Sequence, residues 1–428
     1  MSEVSGPVDA LYRQILRTGE LSTPVDAGLV AELAMALTAG GALRELADCT
    51  DLASTGGPGS ISTMLVPLMA RASGVPVAKV GVPGRPAGAV DVLANVPGYR
   101  WSSTADEFDA AMRRSGFAHT AANEHWAPGD AALFRLRQAE GTQNVPALVV
   151  ASLLAKKLAA GVRYPGFEVR AAPHGNFGSS RDEVRRHASL LCEVASRLGM
   201  RATVFVTDAE FPPQPWIGRG EALFALSIAC LQYGGGTSRD VLGPEDPVIA
   251  AWLTEHVAYC EQITGVLVKA SSQKVTRDAV EYPAAPVRSP ESGCDITTAL
   301  SEHLVAHGST WGRFNERSRA TIAGPRTILR AERGGFLRYR IERIRDCLVG
   351  GNSPVASSGG ASEGAFPDRV GALLHVPVDM RVEPGDAVLS LRWPSELGSP
   401  DVSDLFEITA VPARSPSEAI GQLREVID

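Results

Sequence analysis

Asp51-Leu-Ala-Ser-Thr-Gly-Gly-Pro-Gly-Ser-Ile-Ser-Thr63 is the stretch on which the reading of this chain turns. Three glycines and five hydroxyl side chains lie between Ser54 and Thr63, immediately before the apolar run Met64-Leu-Val-Pro-Leu-Met-Ala70. Glycine permits positive φ and close backbone approach. If the following run is a helix, backbone N–H groups and hydroxyls converge at its N-terminus, which is the outline of a phosphate cradle. An ordinary glycine-rich turn between a strand and a helix has the same spacing. A second glycine-rich stretch, Val80-Gly-Val-Pro-Gly-Arg-Pro-Ala-Gly88, follows the strand-like Val75-Pro-Val-Ala-Lys-Val80. Two such loops after successive strands, with a helix between them, face one crevice.

The 428 residues allow two or three domains at roughly 150 residues each. A net charge of −7 and the lack of a basic patch interleaved with aromatics argue against a nucleic-acid partner. The six cysteines, Cys49, Cys192, Cys230, Cys260, Cys294 and Cys347, form no Cys-x-x-Cys pair, so neither a zinc site nor a disulfide framework is expected, and no metal is assigned. No basic leader opens the chain and no apolar run approaches ~18 residues, so the expectation is a cytoplasmic protein with no membrane partner.

Around the cradle the sequence reads in order as helices over 7–45, then alternating strand-like and helix-like segments to Tyr99, a helix over Asp106–Ser115 and a strand over Phe117–Ala121. Trp126-Ala-Pro-Gly-Asp130 reads as a turn leading into a mixed stretch to Gln143, and Val145–Ala160 as a strongly apolar helix. On that helix Ser152 and Lys156 stand i, i+4 and share a face; a solvated stripe with a snorkelling lysine is the bland account. Strands are expected over Phe167–Ala171 and Ala202–Val206, with helices over Arg181–Gly199 and Gly220–Tyr233. His174 falls in a glycine-rich loop after a strand, a place where α/β sheets gather substrate contacts, although a loop-tip histidine without a role fits equally. Gly234–Pro290 reads as mostly helical, followed by helices over Thr297–Ala306 and Trp311–Arg319. Beyond Ala331 short β segments follow, with a Pro-Gly-Asp turn at 384–386 placed between two antiparallel strands.

Taken in order, Ser54-Thr-Gly-Gly57, Gly84-Arg-Pro-Ala-Gly-Ala-Val-Asp91, Val96-Pro-Gly98, Ala127-Pro-Gly-Asp130, Leu136-Arg137, Ala151-Ser-Leu-Leu-Ala-Lys-Lys-Leu158, Thr207-Asp208, Gly220-Glu-Ala-Leu223 and Val382-Glu-Pro-Gly-Asp-Ala-Val388 resemble the thymidine and pyrimidine-nucleoside phosphorylases. The resemblance implies an α/β protein of the class II nucleoside phosphorylase type: a helical domain, a larger α/β domain with a central mixed sheet, and a C-terminal β-rich portion. The implied divisions are 1–47 and 127–162 for the helical domain, 48–126 and 163–330 for the α/β domain, and 331–428 for a C-terminal α+β portion. It further implies a homodimer, hinge closure, and no cofactor, with phosphate as co-substrate and a pyrimidine nucleoside as substrate.

By position, Arg137, Ser152 and Lys156 match the family's base-binding residues, which makes the Ser152/Lys156 face a binding face. Arg137 and Lys156, with His174, are the candidate catalytic residues. Ser54, Thr55, Gly57, Ser60, Ser62, Thr63, Lys79 and Arg85 are the candidate phosphate ligands. The cradle departs from the family at two places. Its Lys-His pair reads Leu52-Ala53 here, and its phosphate-binding threonine reads Ala89. Lys79 or Arg85 is expected to restore the missing charge, and His174 the missing histidine. The resemblance implies phosphorolysis of a pyrimidine nucleoside to base and sugar 1-phosphate. The alternatives are a glycosyl-transfer enzyme that does not use free phosphate, a non-catalytic nucleoside-binding relative, and the related phosphoribosyltransferase architecture.

Overall fold

The computed structural model describes residues 6–20, 25–55, 61–82, 88–171, 177–208, 212–233, 247–272, 295–352, 366–412 and 425–428. Helices α1 (Gly6–Glu20) and α2 (Ala27–Thr38) precede β1 (Ala47–Thr55), α3 (Ser62–Ala72), β2 (Val77–Gly81), the short α4 (Ala89–Leu93), α5 (Ala105–Ser115) and β3 (Phe117–Ala121). Then come α6 (Pro128–Ala139), α7 (Pro146–Ala160), β4 (Val162–Ala171), α8 (Arg181–Arg197) and β5 (Thr203–Asp208). Local chemistry sets several of these boundaries. α5 and α8 each open on a capping box, Thr104 with Glu107 and Ser180 with Glu183. α7 starts with Pro146 in its first turn and stops at Gly161, whose φ of 72° lets β4 begin at the next residue. A Cβ at Gly161 would lie 2.4 Å from the Glu45 carbonyl oxygen, so no other residue fits that crossing.

The strands form one mixed six-stranded sheet in the order β13-β5-β4-β1-β2-β3, where β13 (Glu425–Ile427) is the antiparallel edge and the other five run parallel. Side chains alternate between its faces. Val204 and Val206 of β5, with Phe167 and Val169 of β4, pack beneath α2, α7 and α8. Phe205 and Leu52 face the opposite way, into a core built from α3, α9 (Arg219–Tyr233), α10 (Pro247–Ser272) and α11 (Ile296–Ala306). The central mixed sheet with helices on both faces is the α/β architecture that the sequence implied.

The C-terminal part follows α12 (Trp311–Ala323). It holds a four-stranded sheet ordered β6 (Trp216–Ile217), β9 (Gly371–Leu374), β11 (Ala387–Arg392) and β7 (Thr327–Arg330), and a three-stranded sheet ordered β10 (Arg381–Val382), β8 (Gly335–Tyr339) and β12 (Phe406–Thr409). Their shared core is sealed by α13 (Ile341–Gly351). A buried charge network fastens this part to α9: Arg392 bonds Glu221 at 2.8 Å and Asp368 at 2.6 Å, and Arg326 reaches Glu221 at 2.9 Å.

Three sequence expectations are corrected. The stretch after Pro128 is a helix, α6, because Pro128 in the first turn and Leu133, Leu136 and Arg137 on one side give it a buried face. The region after Ala331 contains the amphipathic helix α13, whose Ile341, Ile344 and Leu348 are buried at helical spacing. The Pro-Gly-Asp turn does not join paired strands, since β10 belongs to one sheet and β11 to the other; the turn carries the chain across between them. The five described cysteines are free thiols, and Cys294 lies outside the described residues. No helix among the described residues is long and apolar enough to cross a membrane.

Candidate active site

In the parallel part of the sheet, successive strands β1, β2 and β3 advance in one direction, while β4 and β5 lie on the other side of β1. The switch point therefore falls between β1 and β4, and the crevice outside their C-terminal ends is where such sheets bind ligands. Ser54 and Thr55 occupy that end of β1, in register with Glu168 and Val169 of β4. Thr55 is buried and turns its hydroxyl toward the Glu168 carbonyl at 3.5 Å. Ser62 and Thr63 follow at the start of α3. Ser62 donates to the Glu168 carboxylate at 2.6 Å, so its hydroxyl braces a buried acid. Glu168 also accepts from the Tyr259 hydroxyl at 2.8 Å and from Arg170 at 3.1 Å. Burial opposes its charge, yet Arg170, Ser62 and Tyr259 together hold its carboxyl below the ordinary range.

At the middle of β1 lies a second buried cluster. Asp51 takes the Lys79 ammonium on Oδ1 at 2.8 Å and the Lys157 ammonium on Oδ2, and all three side chains are buried. Lys79 also donates to the backbone carbonyl of Leu52 at 2.6 Å. Two ammonium groups on one carboxylate leave a net positive charge. Lys79 thus brings a cation up to the backbone of residue 52. Desolvation pushes the Lys79 pKa down to about 8 against the attraction of Asp51, with Lys157 adding repulsion.

The other wall is built by α6 and α7. Lys156 is buried and donates to Asp130 Oδ2 at 2.7 Å and to Ser152 Oγ at 2.9 Å, as well as to the Ser152 carbonyl. The i, i+4 pairing of Ser152 and Lys156 is therefore real, and the snorkelling account is excluded because the ammonium is inside. Burial lowers the Lys156 pKa, and Asp130 opposes the shift. The second carboxylate oxygen, Asp130 Oδ1, is buried and has no partner among the described residues. Arg137, on α6, is also buried, but its guanidinium is turned to the carbonyls of Thr142 at 3.4 Å, Leu148 at 3.5 Å and Gln143, so it fastens the α6–α7 connection. The fold thus joins Ser152 with Lys156 and, separately, Thr63 with Lys79, which line one small cavity. Gly57, Ser60, Arg85 and His174 lie outside the described residues.

Three contributors were not legible in the sequence. Lys157 passes for a second solvated lysine, yet it is 2% exposed and points from α7 to the sheet, whereas its neighbour Lys156 points to α6. Glu168 and His119 sit on strands, where period-two alternation cannot separate a buried polar residue from an exposed one. Their partners Tyr259 and Tyr99 are 91 and 20 residues away.

No protein-family profile matches the chain. Among curated proteins, the pyrimidine-nucleoside phosphorylase of Geobacillus stearothermophilus is 25% identical over 400 residues, covering 90% of this chain and 86% of the relative. The thymidine phosphorylase of Burkholderia lata is 32% identical over 339 residues, 78% of this chain and 71% of the relative. That of Burkholderia cenocepacia is 28% identical over 342 residues, 78% of this chain and 72% of the relative. Among solved structures, anthranilate phosphoribosyltransferase from Saccharomyces cerevisiae aligns with a TM-score of 0.43 and 13% identity, over 71% of this chain and 83% of that one.

The buried triad yields a stability prediction. Asp51→Asn strands two ammonium groups in a dry interior and is expected to cost about 3–5 kcal/mol. Urea unfolding reads this directly, and a loss below about 1 kcal/mol would show that the lysines reach water.

Proposed function

The chain belongs to the thymidine and pyrimidine-nucleoside phosphorylase family, and from that membership and the geometry of its two walls we propose how it carries out the family's reaction. The reaction is phosphorolysis of a pyrimidine nucleoside: a phosphate oxygen bonds to the anomeric carbon as the N-glycosidic bond breaks, releasing free base and sugar 1-phosphate. Breaking that bond builds positive charge on the sugar and negative charge on the departing base. A fixed cation near the base therefore favours the transition state over the ground state.

Lys156 is assigned that role. The observation that carries the assignment is a buried ammonium held by both Ser152 and Asp130, an ion pair whose field is little screened because water is excluded. Ser152 orients the lysine and offers its hydroxyl to the ring amide. Arg137 serves the base by fixing the α6–α7 connection through the carbonyls of Thr142, Gln143 and Leu148. On the opposite wall, Ser54 and Thr63 stand as hydroxyl ligands for phosphate, and the Asp51–Lys79–Lys157 cluster supplies positive charge from below. The division into a helical domain at 1–47 and 127–162 and an α/β domain at 48–126 and 163–330 assigns these walls to different segments, which meet in one core where α2 and α7 pack on β4, β5 and α8. A homodimer in contact through the helical segment fits the exposed Met35 and Leu43 beside α2, and sedimentation should report twice the subunit mass.

Two enzymological outcomes follow from these roles. Purified protein given thymidine or uridine should release base only when phosphate is present. Lys156→Ala should lower kcat/KM by about 10²-fold or more, with Ser152→Ala affected less; base release without phosphate would point to another acceptor. Lys79 is charged below a pKa of about 8 and neutral above it, so its contribution to phosphate affinity is present at neutral pH and lost as the pH rises through that value. The KM for phosphate should climb between about pH 7 and 9, and Lys79→Met should flatten the profile; an unchanged profile in the variant would remove Lys79 from phosphate binding.

A further inference from the structure

The turn Ala127-Pro-Gly-Asp130 is held in a conformation that its own residues do not favour. Ala127, the residue before α6, stands at φ 48° and ψ 58°, the left-handed region that a Cβ disfavours. The other described non-glycine residues with positive φ are Asp379 and Asp404, whose short polar side chains ease that conformation. Ala127 has no such help, caps nothing with its side chain and is fully buried. The turn is also pressed against the end of α2: a Cβ at Gly129 would stand 3.0 Å from Leu37 Cα, and one at Gly41 would stand 2.6 Å from Pro128 Cδ. Strain of this kind persists only where the surrounding structure imposes it, and it gathers at functional sites. What the turn delivers is Asp130, 3% exposed, in the first turn of α6, where the helix N-terminus favours negative charge.

Asp130 Oδ2 accepts from the Lys156 ammonium at 2.7 Å. The other two hydrogens of that ammonium go to Ser152, one to its Oγ at 2.9 Å and one to its carbonyl, so all three N–H bonds are directed and the nitrogen has one orientation. Ser152 is neutral, which leaves Asp130 to balance the charge. The other charged groups that bear on Lys156 are cations, Arg137 from α6 and Lys157 from α7 itself. Among the described residues, α1, α2 and α8 bring no buried charge to α7, while on the sheet Lys79 pairs with Asp51 and Glu168 with Arg170. Burial and the two cations favour loss of the Lys156 proton, and Asp130 opposes it.

We propose that Asp130 is a positioning residue for the phosphorolysis: the strained turn brings its carboxylate to Lys156, and the contact keeps that side chain charged and aimed in one direction on the base wall. The inference rests on the reading of Lys156 as the cation that favours departure of the base. Asp130 acts through the lysine and needs no contact with substrate. Without the carboxylate the ammonium would keep only the two neutral oxygens of Ser152, and in a dry site it would give up its proton at lower pH. The charge that stabilises the departing base would then be missing from a growing fraction of the enzyme as the pH rises. The same account explains the residues of the turn, since Pro128 starts the helix and Gly129 allows the close approach to Leu37 that sets Asp130 in reach of α7.

The test is the pH profile of kcat/KM for thymidine at saturating phosphate, measured on the full chain and on Asp130→Asn, which keeps the shape and removes the charge. The expected result is a loss of about 10-fold or more in kcat at neutral pH, an unchanged KM for phosphate, and an alkaline limb moved to lower pH, so that the deficit shrinks as the pH falls. In a Lys156→Ala background the same exchange should change kcat/KM by less than about twofold, because no lysine is left to hold. The ¹⁵Nζ resonance of Lys156 in the parent protein, assigned by its loss in Lys156→Ala, should be that of an ammonium at pH 7, a measurement that stands even if Asp130→Asn does not fold. A deficit of the same size at every pH overturns the proposal. So does a further 10-fold loss on top of Lys156→Ala, or a neutral Lys156 amine in the parent. If Lys156→Ala turns over thymidine like the parent, the assignment of Lys156 to the base fails; if only Asp130→Asn does so, that assignment stands and the role of Asp130 falls.

Discussion

One carboxylate, Asp51, receives two buried ammonium groups, and the arrangement of the site depends on that contact. Lys157 comes from α7, Lys79 from β2, and Asp51 itself from the middle of β1. A single acid thus fixes a helix against the sheet and two neighbouring strands against each other. None of these groups is satisfied alone in a dry interior, so each specifies the position of the other two. Because two cations meet one anion, the cluster also leaves positive charge at the middle of β1.

The adjacent lysines of α7 divide the work. Successive helical residues differ by about 100° in direction, so Lys156 and Lys157 can bind partners in different layers: Asp130 on α6 and Asp51 on β1. α7 is consequently the seam between the wall assigned to the base and the sheet that carries the phosphate side. Its stop at Gly161 places β4 immediately beside it, and β4 supplies Glu168, the second buried acid, which holds the start of α3 through Ser62. Three of the hydroxyls that look like phosphate ligands in the sequence thus differ in use. Ser62 and Thr55 face Glu168, while Thr63 borders the cavity beside Lys79 and His119.

Two positions at which the sequence resemblance implies polar phosphate ligands, Leu52 and Ala89, carry apolar side chains here. Leu52 is fully buried among apolar side chains of α3 and α10 and has no way to meet an anion, but its carbonyl accepts from Lys79. Ala89 lines a small cavity together with Lys79 and His119.

Much was legible in the sequence because it is written in local chemistry. The glycine-rich run before an apolar helix, the i, i+4 pair on α7 and the order of short motifs each depend on neighbours within a few residues, and they led to the α/β class, the family and the Ser152/Lys156 face. What the tertiary structure alone decided depends on partners far apart in the chain. Whether Lys79 faces water or Asp51, whether Ser62 is a ligand or a brace for Glu168, and where Arg137 turns its guanidinium are settled by which elements pack against them. The Pro-Gly-Asp turn near 385 shows the same limit, since a tight turn specifies a reversal of the chain but not which sheet each flanking strand joins. The Tyr99 hydroxyl, 3.1 Å from His119 Nδ1 and 2.9 Å from His303 Nε2, is the extreme case. No one of its histidines has a defined tautomer until Phe117 and Arg100 place their carbonyls against His303 and His307, and only three-dimensional contact brings those groups together.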